Sequence, residues 1–404
     1  MSDAFQAVQV TDRVYWVGAR DWEIREFHGY ATGRGTTYNA FLVLADKVTL
    51  VDTVKKPFRR EMMARIASVV DPKRIDYILS NHSEMDHSGS LVETIEAVRP
   101  EKVFASANGV KALEAHFHLG GGIEAVTNGS TLSLGNRHVT FVETKMLHWP
   151  DSMVSYLAEE KILFSQDAFG QHLASDRLWA DEIPQHILYE EAAKYYANIL
   201  LPFSPLVAKT VPALKAMNLA LDVLAPDHGP LYRRDHGWIV DLYEKWAARK
   251  PTRKAVVVYD TMWESDTAMA KAVAEGLAAG GAEPVRVLPM RSANRSDVAA
   301  EILEAGALVV GSPTINNQIF PTLADVLCYL EGLKPKNLVG AAFGSYGWSG
   351  EAVAKLEEWL RRMGVRLVAE AVKVRYVPDS EALAQCRALG EKVGGEVRKA
   401  CGDE

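Results

Sequence analysis

Cysteine is scarce in this chain. Cys328, Cys386 and Cys401 are the three that occur, and none belongs to a Cys-x-x-Cys pair. That spacing excludes a mononuclear iron held by four thiolates, an iron-sulfur cluster and a disulfide framework. If the protein handles electrons, they must arrive from another protein. Long apolar runs are missing as well. There is no stretch of about eighteen apolar residues, and the N-terminus, Met-Ser-Asp-Ala-Phe-Gln, opens polar and runs into a strand at Val14 to Gly18. The sequence therefore predicts a cytoplasmic protein with no membrane partner. Nor is there an excess of positive charge: the net charge is −7, with 27 Lys and Arg against 32 Asp and Glu in residues 1–250 and 18 against 20 in residues 251–404. Neither half carries a nucleic-acid footprint. Gly-x-Gly-x-x-Gly and a Walker lysine are absent, which leaves no dinucleotide fingerprint and no nucleoside triphosphate site. Internal repeats and low-complexity tracts are also lacking. With 48% apolar residues over 404, the chain has the composition of an ordinary globular protein and the length for two domains.

What is present is concentrated at strand ends. After the apolar run Ile75 to Leu79 the chain reads Asn-His-Ser-Glu-Met-Asp-His-Ser-Gly-Ser, placing His82, Glu84, Asp86 and His87 within six residues. A buried strand feeding a polar loop holds side chains on a rigid base, where they can converge on an ion. Two imidazoles with two carboxylates and no thiolate suit a hard, redox-capable ion such as iron or manganese better than a structural zinc. Three more candidates share the strand-end setting. His148 lies in Leu-His-Trp-Pro-Asp, Asp167 follows the strand Lys161 to Gln166, and His228 sits in Pro-Asp-His-Gly after the strand Leu221 to Ala225. His116, His118, His138, His172, His186 and His236 lack that setting and read as surface or supporting groups.

From Lys254 the pattern becomes an alternation of short β-branched runs and amphipathic helices. Strands are expected at Lys254 to Tyr259, Pro284 to Leu288, Ala307 to Gly311, Asn337 to Phe343 and Ala371 to Val377. Helices are expected at Ala268 to Ala279, Val298 to Glu304, Leu323 to Leu333, Ala352 to Met363 and Ser380 to Lys399. Five strands joined by four crossovers predict a doubly wound parallel sheet, whose ligands lie at the carboxyl ends of the strands. Three of those ends are distinctive. The first, Thr261-Met262-Trp263-Glu264-Ser265-Asp266-Thr267, offers hydroxyls and helix N-terminal donors for a phosphate monoester. The second is Ser312-Pro313-Thr314-Ile315-Asn316-Asn317. The third, Ser345-Tyr346-Gly347-Trp348-Ser349-Gly350, adds aromatic faces beside glycines, which fits a flat ring.

His-x-Glu-x-Asp-His, Leu-His-Trp-Pro-Asp, Asp-Ala-Phe-Gly and Pro-Asp-His-Gly together resemble the di-iron site of the flavodiiron proteins, also called A-type flavoproteins. The three later loops resemble the FMN-binding loops of flavodoxins. The resemblance runs along essentially the whole chain. It implies an α/β protein: a metallo-β-lactamase-like αββα di-iron domain over residues 1–250, then a flavodoxin-like doubly wound parallel sheet binding FMN over residues 251–404. One iron would take His82, Glu84 and His148, the other Asp86, His87 and His228, with Asp167 bridging. Zinc hydrolases of the same fold carry His-x-His-x-Asp-His at the first loop. Glu84 replaces the second of those histidines, hardening the site and favouring an oxidoreductase over a zinc-dependent hydrolase. Tyr195 and Tyr196, on the helix after the bridge, are candidate catalytic groups acting on rate more than on metal content. One position departs from the pattern: the family usually has Thr where this chain has Asp266. A carboxylate there is expected to cap the helix or face solvent, and to weaken FMN retention or make it salt-sensitive.

The implied activity follows from electron counting. Dioxygen reduction to water takes four electrons, and two irons plus FMN hold four; two nitric oxide molecules take two, giving nitrous oxide and water. Dioxygen, in a detoxifying role, is the preferred substrate and nitric oxide the alternative. The donor is expected to be rubredoxin, because the chain ends soon after the flavodoxin-like helix and leaves no room for an NAD(P)H:flavin reductase module. The resemblance also implies a homodimer, packed head to tail and possibly paired into a tetramer.

Overall fold

The structure is a computed structural model that describes residues 5–402. Two compact units account for the described residues: 5–28, 32–195 and 206–244 form one, and 29–31, 196–205 and 245–402 form the other. The expected division at 250/251 thus falls six residues after the last crossing between units, and it does not anticipate the two short segments that join the second unit.

The first unit is built on two sheets. A seven-stranded sheet runs in chain order from Val8–Gln9 through Val14–Trp16, Phe41–Val43, Thr49–Val51, Tyr77–Ser80 and Lys102–Ser106 to Ile123–Val126. A five-stranded sheet holds Thr131–Ser133, His138–Glu143, Met153–Leu157, Ile162–Gln166 and Val223–Pro226. Because side chains alternate between faces along a strand, Phe41 and Val43 pack with Phe141, Met153 and Phe164 between the sheets, while Leu42 packs with Met62, Ile66 and Leu91 under the outer helices. On the far side, Leu163 and Leu224 face the helices Ser204–Ala216 and His236–Ala247. This is the αββα layering that the family resemblance implies. The polar strand ends Asn81, Asp167 and Asp227 all emerge at one edge of the sandwich.

The second unit has a parallel sheet ordered Val285–Pro289, Ala255–Tyr259, Ala307–Gly311, Val339–Tyr346, then the last position. That is the flavodoxin order, with the reversal beside the first strand. The expected single fifth strand is two short ones, Arg366–Leu367 and Val372–Arg375, both paired with Val339–Tyr346. An eight-residue neighbour leaves room for the edge strand to leave the sheet and return.

The run Gln185–Ala216 has the length and apolarity to cross a membrane. It is not one regular helix: Gln185–Tyr195 gives way to a π turn at Tyr196–Leu200 before Ser204–Ala216 begins. Its apolar side chains Ala192, Tyr195, Leu200, Val207 and Val211 are buried in the protein.

Candidate metal centre and cofactor cavity

The motif around residue 82 folds as strand, extended turn, and a single helical turn. Tyr77–Ser80 ends at Asn81, whose backbone and side-chain amides both donate to the buried carboxylate of Asp52 at 2.7 Å. That fixes the strand end. Met85–Ser88 then winds into one turn with Glu84 as its cap residue, bringing Asp86 and His87 back toward His82. His148 comes from the turn before Met153–Leu157, Asp167 from the end of Ile162–Gln166, and His228 from the turn after Val223–Pro226.

The structure brings all seven sequence-predicted donors together, and they divide into two groups about one carboxylate. Asp167 Oδ2 lies 2.9 Å from His148 Nε2 and 3.4 Å from His82 Nε2, and His148 Nε2 lies 3.0 Å from Glu84 Oε2. Asp167 Oδ1 lies 3.5 Å from both His87 Nε2 and His228 Nε2, and Asp86 Oδ2 is 3.4 and 3.1 Å from the same two nitrogens. The two imidazole nitrogens of His87 and His228 face each other at 3.1 Å. Each group thus gathers its lone pairs on one point. Both oxygens of Asp86, Oδ1 of Asp167 and Nε2 of His82 are buried without a hydrogen-bond partner. Orphaned acceptors packed this closely are costly unless cations satisfy them, so the donor set fits two metal ions.

Supporting groups surround this centre, several of them invisible to sequence reasoning. His228 Nδ1 donates to the carbonyl of Thr37 at 2.6 Å, which leaves Nε2 free to face the donor cluster. Asp227 is fully buried, its Oδ2 3.7 Å from His82 Nδ1 and 3.8 Å from His87 Nδ1. His172 is buried, not on the surface; it lies beside His228 with ring centroids 4.7 Å apart and pairs with Thr36 at 2.9 Å. Phe27 packs 5.2 Å from His172. The two tyrosines part company. Tyr195 is buried 6.1 Å from the His228 ring with its hydroxyl unpartnered. Tyr196 instead turns away, its hydroxyl donating to Ser204 Oγ at 3.1 Å and its ring against Trp246. Neighbouring helical residues point about 100° apart, so only one of the pair faces the centre.

The second unit holds a cavity of about 560 Å³ at the strand ends. Its walls are Met262, Trp263 and Ser265 from the first loop, Thr314, Ile315, Asn316 and Asn317 from the second, and Ser345, Tyr346, Gly347, Trp348 and Ser349 from the third. Tyr376 and Val377, which sequence reasoning missed, complete it. Trp263 and Trp348 are 89% exposed, which rules out a core role for either. A phosphate cradle is available at the start of Ser265–Ala279, where Thr261 Oγ1 is buried without a partner. Cavity size, aromatic walls and cradle fit a flat ring bearing a phosphate.

Several expected cavity residues lie outside its walls. Ser312 is buried and accepts from Phe320 N, Glu264 pairs with Arg291 at 2.7 Å, and Thr261, Thr267, Pro313 and Gly350 do not line the space. Asp266 neither caps its helix nor meets solvent. It is 1% exposed and bonded to Ser345, because the helix start turns its second residue inward. Burial pushes its carboxyl up to about 6, with the Ser345 bonds opposing. A folded value above the ordinary one means the group's stability contribution is complete below about pH 4 and lost as pH rises through 6. Asp266→Asn should therefore gain stability relative to the parent across that window, by on the order of 3 kcal/mol at neutral pH, with a Tm difference that grows as pH rises. A Tm difference that stays constant from pH 4 to 7 would contradict this.

The fold and the paired donors define a two-unit protein with a β-lactamase-like metal domain and a flavodoxin domain. Family models agree: residues 36–229 match the ODP family beta lactamase and residues 257–390 match flavodoxin. The chain belongs to the flavodiiron protein family. It is 46% identical over 396 residues to a nitric oxide reductase of Moorella thermoacetica, covering 97% of this chain and 99% of the relative. It is 45% identical over 392 residues to the rubredoxin-oxygen oxidoreductase of Megalodesulfovibrio gigas, covering 96% and 97%. Among solved structures it matches the rubredoxin oxygen:oxidoreductase of Desulfovibrio gigas with a TM-score of 0.95 at 44% identity, covering 98% and 99% of the two chains. The flavodiiron protein of Giardia intestinalis matches at a TM-score of 0.94 and 32% identity, covering 99% and 98%.

Proposed function

We propose that this protein is a cytoplasmic di-iron flavoenzyme that reduces dioxygen to water with electrons from a rubredoxin-type carrier, working as a head-to-tail homodimer or a tetramer of such pairs. The observation that carries this reading is the division of seven donors about the two oxygens of Asp167. His82, Glu84 and His148 would hold one iron, and Asp86, His87 and His228 the other. Bound in their sites, FMN would collect single electrons into pairs and two irons would bind and reduce a diatomic gas.

The chain's own groups have distinct tasks. Asp167 fixes the spacing of the two donor groups. Tyr195 keeps its proton, since burial first and the Asp167 charge next push its hydroxyl well above the usual range. That O–H stays beside His228 as a hydrogen-bond donor facing the site. Met262, Trp263, Trp348, Tyr376 and Val377 form an exposed apolar collar at the cavity mouth, which supports approach of a carrier protein there. Nitric oxide is the second substrate to test, because relatives named for each gas are similar to this chain to the same degree.

Purified protein should be yellow, contain two irons per chain and turn over dioxygen faster than nitric oxide with one reduced donor. A colourless zinc protein would return the first unit to the hydrolases. Reduction at turnover rates by NAD(P)H alone would remove the external carrier. His82→Ala and His228→Ala should each lower iron from two per chain toward one, because each removes a donor from a different group. Equal and complete loss in both, with FMN and fold retained, would mean that the two groups do not bind separately.

A further inference from the structure

Asp266 turns both oxygens of a buried carboxylate toward Ser345. Its Oδ1 accepts the backbone N–H of Ser345 at 2.9 Å and its Oδ2 accepts the Ser345 hydroxyl at 2.7 Å. Ser345 in turn accepts the backbone N–H of Thr314 at 2.9 Å. One residue from each of the three strand-end loops is thereby joined in a chain whose middle member is Ser345. A second tie flanks it, Ser265 Oγ donating to the carbonyl of Tyr376 at 2.8 Å and Tyr376 N donating to the carbonyl of Tyr346 at 2.7 Å. Ser265, Thr314, Ser345, Tyr346 and Tyr376 all line the cavity; Asp266 lies behind its wall.

A carboxylate this deep is held at a cost that an amide or hydroxyl would avoid, and it sits at a binding cavity, where such costs are characteristically retained for shape. Its two bonds are charge-assisted, and deleting it would leave a backbone N–H and a hydroxyl buried without acceptors. We propose that Asp266 is a positioning residue for the flavin: it clamps the end of Val339–Tyr346, and through Ser345 the Thr314 loop, so that the ring-binding walls are preformed before FMN arrives. The inference rests on the reading of this cavity as an FMN site. It reverses the expectation that the acid weakens retention, because the carboxylate lies behind the cavity wall with both oxygens engaged by Ser345.

The test strips FMN from the purified protein and titrates it back, following quenching of flavin fluorescence, in the parent, Asp266→Ala, Asp266→Asn, Ser345→Ala and the Asp266→Ala/Ser345→Ala pair. Asp266→Ala should raise the Kd about tenfold or more. Asp266→Asn, whose amide oxygen and NH2 can renew both bonds without charge, should stay within about threefold of the parent. The double variant should bind no worse than Asp266→Ala, since the two residues act as one unit. Exchange of the Ser345 amide hydrogen in the stripped protein should be faster in Asp266→Ala and unchanged in Asp266→Asn. Equal or tighter binding by Asp266→Ala, or equal weakening by Ala and Asn, would overturn the clamp while leaving the flavin site intact. Failure of the parent to rebind FMN would overturn both. Should Asp266→Ala not fold, Ser345→Ala decides: an unchanged Kd in that variant would overturn the proposal.

Discussion

Asp167→Asn protein is expected to retain at most half the iron of the parent and to lose gas-reducing activity by about a hundredfold or more, with its FMN in place. The size follows from how much one side chain does. Each oxygen of Asp167 serves a different group of donors, Oδ2 facing His82 and His148 and Oδ1 facing His87 and His228. An amide of the same shape keeps one oxygen and turns an NH2 toward the other pair of imidazoles, where it competes as a donor for lone pairs that should face a cation. It also removes one of three carboxylate charges from the donor set. Loss of a partner that only supports a ligand already costs tenfold to a hundredfold; loss of the shared ligand must cost at least that much. FMN is expected to stay because its cavity is walled by residues of the second unit alone. Elemental analysis, turnover and the flavin absorption band check the three parts separately. Two irons and full activity in this variant would contradict the bridging role.

The donors were legible in the sequence because each sits where a strand runs into a turn, and because their chemical mixture is unusual. Their grouping about Asp167 was not legible from spacing: it depends on a one-turn helix at Met85–Ser88 that reorients Asp86 and His87 relative to Glu84. The parallel sheet of the second unit was readable from the alternation of β-branched runs and helices, but the break between Arg366–Leu367 and Val372–Arg375 depends on the length of the neighbouring strand. Tyr195 and Tyr196 are adjacent and chemically alike, so nothing short of the helix phase could tell which faces the centre. Asp266 misled for a related reason. A carboxylate early in a helix ordinarily caps it, and only the approach of Ser345 from a residue 79 positions away gives it another partner. Asp227 was in plain view in Pro-Asp-His-Gly, beside the candidate His228; its importance comes from standing behind two histidines contributed by a distant loop.

Asp227→Asn is expected to move two measurements in opposite directions. Its carboxylate lies 3.7 Å from Nδ1 of His82 and 3.8 Å from Nδ1 of His87, one histidine from each group of donors. These separations are too long for hydrogen bonds, so the effect is one of charge acting through a buried, weakly screening interior. An imidazole that gives its Nε2 lone pair to a cation carries its proton on Nδ1, and a negative charge behind that proton makes the ring a better ligand. Removing the charge should speed loss of iron to a chelator by about tenfold to a hundredfold. Without metal the same carboxylate is a burden. Burial first, and the charge of Asp52 next, push it well above the usual carboxylate range. A folded value above the ordinary one favours folding fully only at acid pH and costs stability once the group must ionise near neutrality. Metal-free Asp227→Asn should therefore melt at a higher temperature than metal-free parent protein at pH 7, although it holds iron less well. A variant that merely disturbs packing would lose on both counts. If melting temperature and iron retention fall together, or if iron retention is unchanged, Asp227 does not act as a charge supporting the metal ligands.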